Sequence, residues 1–242
     1  MPRSISPSRP PIPAERHRAI LREIERAGSA RVIELAASLS VTPETIRRDL
    51  DALESAGRLR RTHGGAIATE TDRDEPFDVR RLRNAGAKDT IARRAIRLAI
   101  EHDVITLDAS TTSLALATLL PDVPRTVLTN SLPIATELAG KPEITTILTG
   151  GVVDPETLGL HGVAAIETLQ RFSSSIAFVS CFGFDECRGA GETTEPRAEL
   201  KRMMVAQSDC AVLLADRSKR DRRCAFYFCP VGGFEAIITD DR

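Results

Sequence analysis

The stretch that most constrains this chain is Val41 to Ala66, VTPETIRRDLDALESAGRLRRTHGGA. Thr42 can cap a helix N-terminus, and Pro43 suits the first helical position because the first turn leaves its N–H groups unpaired anyway. At about 100° per residue, Ile46, Leu50 and Leu53 gather on one side, while Glu44, Arg47, Arg48 and Asp51 fall on or near the other. Gly57 is placed to end the helix, since it adopts a left-handed C-cap without a Cβ clash. Arg58, Arg60, Arg61 and His63 then run into Gly64-Gly65, which predicts a basic hairpin with a glycine tip. Upstream, His17, Ile20, Leu21 and Ile24 predict one amphipathic helix closed at Ala27-Gly28. Val32, Leu35, Ala36 and Leu39 predict a second, ending at Ser40-Val41. Arginines on a surface helix are commonplace, but three short helices, a tight turn before the third and a basic wing describe a winged helix-turn-helix. Such a unit puts side chains into a DNA groove while its ribbon grips the phosphates.

The same residues closely resemble the DeoR family of bacterial transcriptional regulators. The resemblance is carried by RVIELAASLSVTPETIRRDL at 31 to 50, Leu53-Glu54, Gly57, Leu59 and RTHGGA at 61 to 66. It implies sequence-specific binding to double-stranded operator DNA. The expected contacts are Thr42, Glu44, Thr45, Arg47 and Arg48 at base edges or flanking phosphates, with Arg58, Arg60, Arg61 and His63 on the backbone.

At 242 residues the chain suits one large domain or two modest ones. Residues 1 to 68 carry 12 Arg and no Lys against 8 acidic residues, a charge of +4; the remainder carries 21 basic against 26 acidic, −5, which together give the −1 of the whole. That asymmetry fits a basic nucleic-acid module joined to an acidic one. Residues 1 to 13 are rich in Pro and Ser and lack the apolar core of a signal peptide, and no apolar stretch is long enough to span a bilayer. A disordered arm and a cytoplasmic protein without a membrane partner are expected. The five cysteines are odd in number and include no C-x-x-C pair. Reduced thiols are therefore expected, with no metal site and no cofactor.

After the wing, ATETDRDE at 68 to 75 is polar and aperiodic and is followed by Pro76, so a domain boundary is expected there. Phe77 to Asn84 reads as a short helix or a connector. The expected division is an arm at 1–13, a winged helix-turn-helix at 14–68, a linker at 69–87 and a larger domain at 88–242. In that last part, short apolar strands near 104–107, 126–128, 144–148, 176–180, 211–214 and 236–239 alternate with helical patterns near 88–99, 112–120, 132–138, 163–169 and 196–206. The alternation predicts an α/β domain with a mostly parallel sheet covered on both faces.

Ligands in such sheets sit outside the carboxyl ends of the strands. Four polar loops stand there: Asp108-Ala109-Ser110-Thr111-Thr112, Thr129-Asn130-Ser131, Thr149-Gly150-Gly151 and Asp216-Arg217-Ser218-Lys219. Each is ordinary alone, since Ser and Thr cap helices and Gly-Gly turns chains. Together they predict a pocket for a small polyhydroxylated phosphate, with Asp108, Ser110, Thr111, Thr112, Thr129, Asn130, Ser131, Gly150, Gly151 and Lys219 as its residues. The family resemblance extends here, on KDTIA at 88 to 92, LDASTT at 107 to 112, LTNS at 128 to 131, TGG at 149 to 151 and ADRSK at 215 to 219. It implies a sugar-phosphate sensor domain similar in fold to ribose-5-phosphate isomerase and glucosamine-6-phosphate deaminase. Two departures bear on which ligand is bound: Ser175 stands where family members often carry an acidic residue, and Arg220 to Arg223 (RDRR) is unusually charged.

The implied function is a repressor of carbohydrate-metabolism genes whose DNA binding answers to a phosphorylated sugar. One winged helix reads a short half-site, so a homodimer or homotetramer is expected. Two other readings compete. A sugar-phosphate isomerase or deaminase would need a carboxylate base, with Asp185, Glu186 or Asp108 as candidates, although Asp185-Glu186 reads more simply as the cap of a surface turn. A pure oligomerisation module would leave the polar loops without a role.

Overall fold

The computed structural model describes residues 12–27, 29–55, 59–62, 64–67 and 76–241. Gly57, Arg58 and His63 lie outside the described residues, as do the arm through Pro11 and the side chain of Arg60. The chain divides into two compact units, Met1–Asp72 and Arg73–Arg242.

The first unit contains α1 (Pro13–Ala27), β1 (Ser29–Arg31), α2 (Val32–Ser38), α3 (Pro43–Ser55), β2 (Arg60–Thr62) and β3 (Gly65–Ile67). Ile20 and Ile24 of α1, Leu35 of α2 and Ile46, Leu50 and Leu53 of α3 close one core, so the apolar stripes of all three helices meet as their periodicity requires. Val41 N donates to Ala36 O at 3.1 Å, which closes the turn between α2 and α3, with Ser40 at φ 53°. Thr42 Oγ1 accepts from Thr45 N at 3.2 Å and so caps α3. The wing is a three-stranded antiparallel sheet in the order β1-β3-β2. Gly65 is needed in it: a Cβ there would stand 2.0 Å from Ala30 O of β1. Strand β1 is only three residues long and has no readable alternation, which is why the sequence reading missed it.

Asp49 of α3 is buried and takes Arg16 Nε at 2.7 Å and Arg16 Nη2 at 2.9 Å, with His17 Nε2 at 3.1 Å. This joins α1 to the helix that faces outward with Arg47 and Arg48. Substituting Asp49 by Ala removes the carboxylate that takes two hydrogen bonds from the Arg16 guanidinium. The expected loss is about 1–3 kcal/mol of stability in this unit, read as a lower urea midpoint by circular dichroism. An unchanged midpoint would show the pair to be dispensable.

The second unit opens with α4 (Phe77–Leu82) and α5 (Ala85–Ala99). Helix α4 lies within the expected linker at 69–87 and α5 begins in it, and both belong to the second compact unit. The reason is Lys88, which is buried and donates its ammonium to Arg80 O and, at 2.5 Å, to Arg83 O, capping the C-terminal carbonyls of α4. Then follow β4 (Val104–Leu107), α6 (Thr111–Leu119), β5 (Arg125–Thr129), α7 (Leu132–Leu138), β6 (Ile144–Leu148), β7 (Val152–Asp154), β8 (Gly159–His161), α8 (Val163–Gln170) and β9 (Ser174–Ser180). After them come β10 (Gly183–Asp185), β11 (Gly189–Glu192), α9 (Glu195–Ala206), β12 (Ser208–Leu214), β13 (Phe226–Cys229) and β14 (Ala236–Ile238).

Six strands form one parallel sheet in the order β14-β12-β9-β4-β5-β6. Successive residues of β9 face opposite ways: Ile176 and Phe178 pack with α5, α6 and α7, while Ala177 and Val179 pack with α8 and α9. Both faces are covered, so the strands are apolar on both sides. The direction of strand addition reverses between β4 and β9, which is the switch point where sheets of this kind open a crevice. Two small additions flank that point. One is the antiparallel pair β7–β8; the other is the sheet β10-β11-β13.

Candidate functional site

In the first unit, Arg47 and Arg48 are exposed on α3, and both lie near the exposed Glu44, at 3.3 Å and 3.7 Å. These are solvent-screened pairs that phosphate can replace. Thr42 and Thr45 share a hydrogen bond of 2.9 Å at the N-terminal end of the same helix. Arg61 behaves differently from the expectation that it reaches outward. Its side chain is turned back onto α3, donating to the Asp51 carboxylate and to Arg47 O at 3.1 Å. Its backbone N donates to Glu54 Oε1 at 2.7 Å. Two acceptors on α3 thus draw the guanidinium inward, and Arg61 ties the wing to the helix.

In the second unit, a cleft of about 550 Å³ opens at the switch point. Its floor is a buried charge cluster. Asp108, directly after β4, takes Ser180 N at 2.8 Å, Ser180 Oγ at 2.9 Å and Lys201 Nζ at 2.9 Å on one oxygen, and Ser113 Oγ on the other. Lys201 of α9 also donates to the Glu192 carboxylate and to Ser180 O at 2.9 Å. Burial would raise the Asp108 pKa, but the Lys201 charge and the hydrogen bonds from Ser113 and Ser180 outweigh it and hold the carboxyl below its ordinary range. Burial likewise opposes the charge on Lys201, yet Asp108 and Glu192 push its pKa up. Asp108 therefore reaches the cleft as expected, but its acceptor sites are already filled from within the protein, which leaves little for sugar hydroxyls.

The hairpin β7–β8 forms another wall. Asp154 takes Arg197 Nε at 2.7 Å, and Glu156 takes Arg197 Nη2 at 3.1 Å, so α9 holds the hairpin in place. Asn130 donates from Nδ2 to Leu160 O at 3.0 Å, while its Oδ1 lines the cleft region buried and without a hydrogen-bond partner among the described residues. Arg80 of α4 also lines the cleft, with Nε and Nη2 buried and equally unpartnered. Lys219 completes the lining from the segment after β12. Arg80, Lys219 and Lys88 form one cationic neighbourhood. Burial lowers the Lys88 pKa to about 8; Asp216 opposes that shift, and Lys219, Arg80 and Arg83 add to it.

Of the ten residues expected to bind an effector, Asp108, Asn130 and Lys219 line this cleft. The others lie outside the lining. Ser110 Oγ accepts from Ser113 N at 2.9 Å and caps α6, and Ser131 Oγ accepts from Ile134 N at 3.3 Å and caps α7. Thr129 Oγ1 accepts from Ser131 N at 3.1 Å. Thr111 and Thr112 are buried in the first turn of α6, outside the lining. Gly150 and Gly151 are exposed; Gly151 has φ 124°, and a Cβ on it would meet His161 O at 2.3 Å. Gly151 is thus a close approach of the chain to itself where the hairpin folds back. Asp185, a candidate base, accepts from Cys187 N at 2.9 Å and Arg188 N at 2.7 Å and holds the β10–β11 turn. Sequence reasoning missed Arg80, Asp154, Glu192, Arg197 and Lys201. Lys201 did leave a signal: it shares a helical stripe with Ala198 and Met204, where an unpaired lysine has no place.

A winged helix with a solvent-facing pair of arginines, followed by an α/β unit with a polar cleft at its switch point, defines a DNA-binding regulator with an attached sensor. Residues 16–72 match the DeoR-like helix-turn-helix domain, and residues 83–241 match the DeoR C terminal sensor domain. The chain belongs to the DeoR family of transcriptional regulators. It is 39% identical over 228 residues to the uncharacterized HTH-type transcriptional regulator YulB of Bacillus subtilis, covering 94% of this chain and 88% of that one. It is 39% identical over 226 residues to the L-fucose operon activator of Haemophilus influenzae, covering 93% and 91%. The HTH-type transcriptional regulator GolR of Listeria innocua is 33% identical, covering 95% and 91%. These relatives are regulators by name, and the chain is a regulator and not an enzyme. Among solved structures, ribose 5-phosphate isomerase A from Methanocaldococcus jannaschii is similar at 16% identity and a TM-score of 0.42, covering 57% of this chain and 55% of that one. No described helix is long and apolar enough to cross a membrane.

Proposed function

We propose that this regulator acts on carbohydrate-metabolism genes and that a phosphorylated sugar in the switch-point cleft sets its affinity for operator DNA. The observation that carries the reading is Arg80. Among the described residues, two guanidinium nitrogens of Arg80 are buried without a hydrogen-bond partner beside Lys219 and Lys88, in a cleft where Asp108, Glu192 and Lys201 pair with one another and Arg197 pairs with Asp154. A buried unpaired cation is costly, and a phosphate monoester satisfies it with charge-assisted hydrogen bonds. Asn130 Oδ1, an unpartnered acceptor in the same lining, suits a sugar hydroxyl. In this reading Thr42, Glu44, Thr45, Arg47 and Arg48 face DNA, with Arg58, Arg60 and His63 on the wing, and the protein works in the cytoplasm as a homodimer or homotetramer that spans two half-sites.

Fluorescence anisotropy with DNA from upstream of the coding region tests it, at fixed salt because phosphate contacts make affinity steeply salt-dependent. A panel of phosphosugars and their unphosphorylated parents is titrated in. One phosphosugar should shift the curve where its parent does not; no shift from any of them would remove the phosphate reading. Release from DNA is the sign expected of a repressor. The L-fucose operon activators among the relatives favour the opposite sign, and the same titration reads it. Arg80→Ala and Lys219→Ala should each leave DNA affinity without effector within about twofold while raising the effector concentration needed by about tenfold or more, the scale of one lost charge-assisted hydrogen bond. Weaker DNA binding with a normal response would place these residues elsewhere in the mechanism.

A further inference from the structure

Lys219 lies on a flexible stem, and what holds it in the cleft is visible. Its Nζ stands 5.7 Å from the centre of the Phe182 ring, and both residues line the cleft. The Arg222 guanidinium stacks on the same ring at 3.4 Å. Phe182 is the fixed member: it is buried two residues beyond β9, and its backbone N donates to Gly191 O at 2.9 Å. The charged RDRR segment is laid along β10 by several ties. Asp221 N donates to Phe184 O at 2.8 Å with Asp221 at φ 59°, and the Arg220 guanidinium sits 5.4 Å from the Phe184 ring. Gly183 permits the approach, since a Cβ there would stand 2.4 Å from Arg222 O. The segment that departs from the family pattern is therefore a scaffold element beside the cleft.

We propose that Phe182 and Arg222 form a positioning platform that presents the Lys219 ammonium to the phosphate of the effector. The ring face attracts the ammonium and adds to what restricts its four-carbon stem. Arg222, stacked on the same ring, repels the ammonium and limits where it settles; an anion bound to Lys219 relieves that repulsion, a phosphate dianion more than a monoanion. Phe182 and Arg222 are positioning residues, acting through Lys219. The inference rests on the cleft being a phosphate site.

Inorganic phosphate, titrated calorimetrically into the full chain at fixed ionic strength, tests both levels. Lys219→Ala should weaken phosphate binding, Phe182→Leu should weaken it by about fivefold, and Phe182→Tyr, which keeps the ring, should restore it. In the Lys219→Ala background, Phe182→Leu should cost nothing further, a coupling that general loosening of the fold does not produce. If Phe182→Leu weakens phosphate equally with and without Lys219, or not at all while Lys219→Ala does, the platform is wrong and the phosphate site stands. If the wild type takes up no phosphate, or Lys219→Ala changes nothing, the phosphate reading itself fails and the platform with it.

Discussion

Replacing Lys201 by Met should destabilise the sensor unit by about 3–5 kcal/mol, the cost of stranding buried charge, and should introduce a dependence on pH that the intact protein lacks near neutrality. Asp108 and Glu192 both touch the ammonium, and both are buried. In the intact protein the Asp108 carboxyl titrates below its unfolded value of about 3.9, so the unfolded chain takes up the proton first as pH falls. The stability this contributes is present above about pH 4 and is lost as pH drops through the folded value. Lys201, raised above its ordinary value, contributes stability that is full below about pH 10 and lost only as pH rises through the folded value. Between pH 5 and 8, roughly, neither group changes its charge, and stability should be nearly flat. Without the ammonium, the effect of burial on Asp108 loses its main opponent, so the folded state binds that proton more tightly than the unfolded one. Stability of the variant should then fall as pH rises over that same interval. Urea unfolding at several pH values reads both effects, and a variant with the slope of the wild type would show that the carboxylates find other partners.

Substituting Arg47 by Ala should weaken the complex with operator DNA by about 1–3 kcal/mol if the guanidinium reads a base, with thermal stability unmoved because the side chain is exposed. Its companion in the free protein is Glu44, at 3.3 Å across open solvent, so little is lost when it leaves that partner. A base contact predicts that discrimination between operator and unrelated DNA falls along with affinity. A phosphate contact predicts an even loss on all DNA and a salt dependence shallower by about one unit. Anisotropy on both DNAs at several salt concentrations separates the two. No loss on either would move recognition to another residue of α3.

The parts of this molecule that the sequence made legible are those with a period. The stripes Ile46, Leu50, Leu53 and Ile91, Ala95, Ala99 announced helices, and the apolar runs of β4, β9 and β12 announced a doubly covered sheet. The short antiparallel strands β7, β8, β10, β11 and β13 were not legible. They are three or four residues long; β11 is GAGE, buried throughout and without alternation. The cleft was half legible. The strand-end loops are where they should be, but a hydroxyl after a strand looks the same whether it will cap a helix, as Ser110 and Ser131 do, or meet a ligand. Arg80 was hidden within a stretch read as a short helix or a connector, to which no ligand was assigned. Lys201 was hidden because its two anionic partners lie 93 and 9 residues away in the chain, and nothing local announces a triad.

The strand order also has a consequence in time. Strand β4 acquires its neighbour on one side from β5, but on the other side it waits for β9, with Ile105 paired to Ile176. The winged helix is complete by Ile67, and its pairing of Ser29 with Ile67 spans 38 residues, against 71 between Ile105 and Ile176. Local contacts form fast, whereas long loops must close before distant strands pair. During synthesis the DNA-reading unit is therefore finished while the cleft does not yet exist. A chain that ends between Ile67 and β9 would hold the reader without the listener.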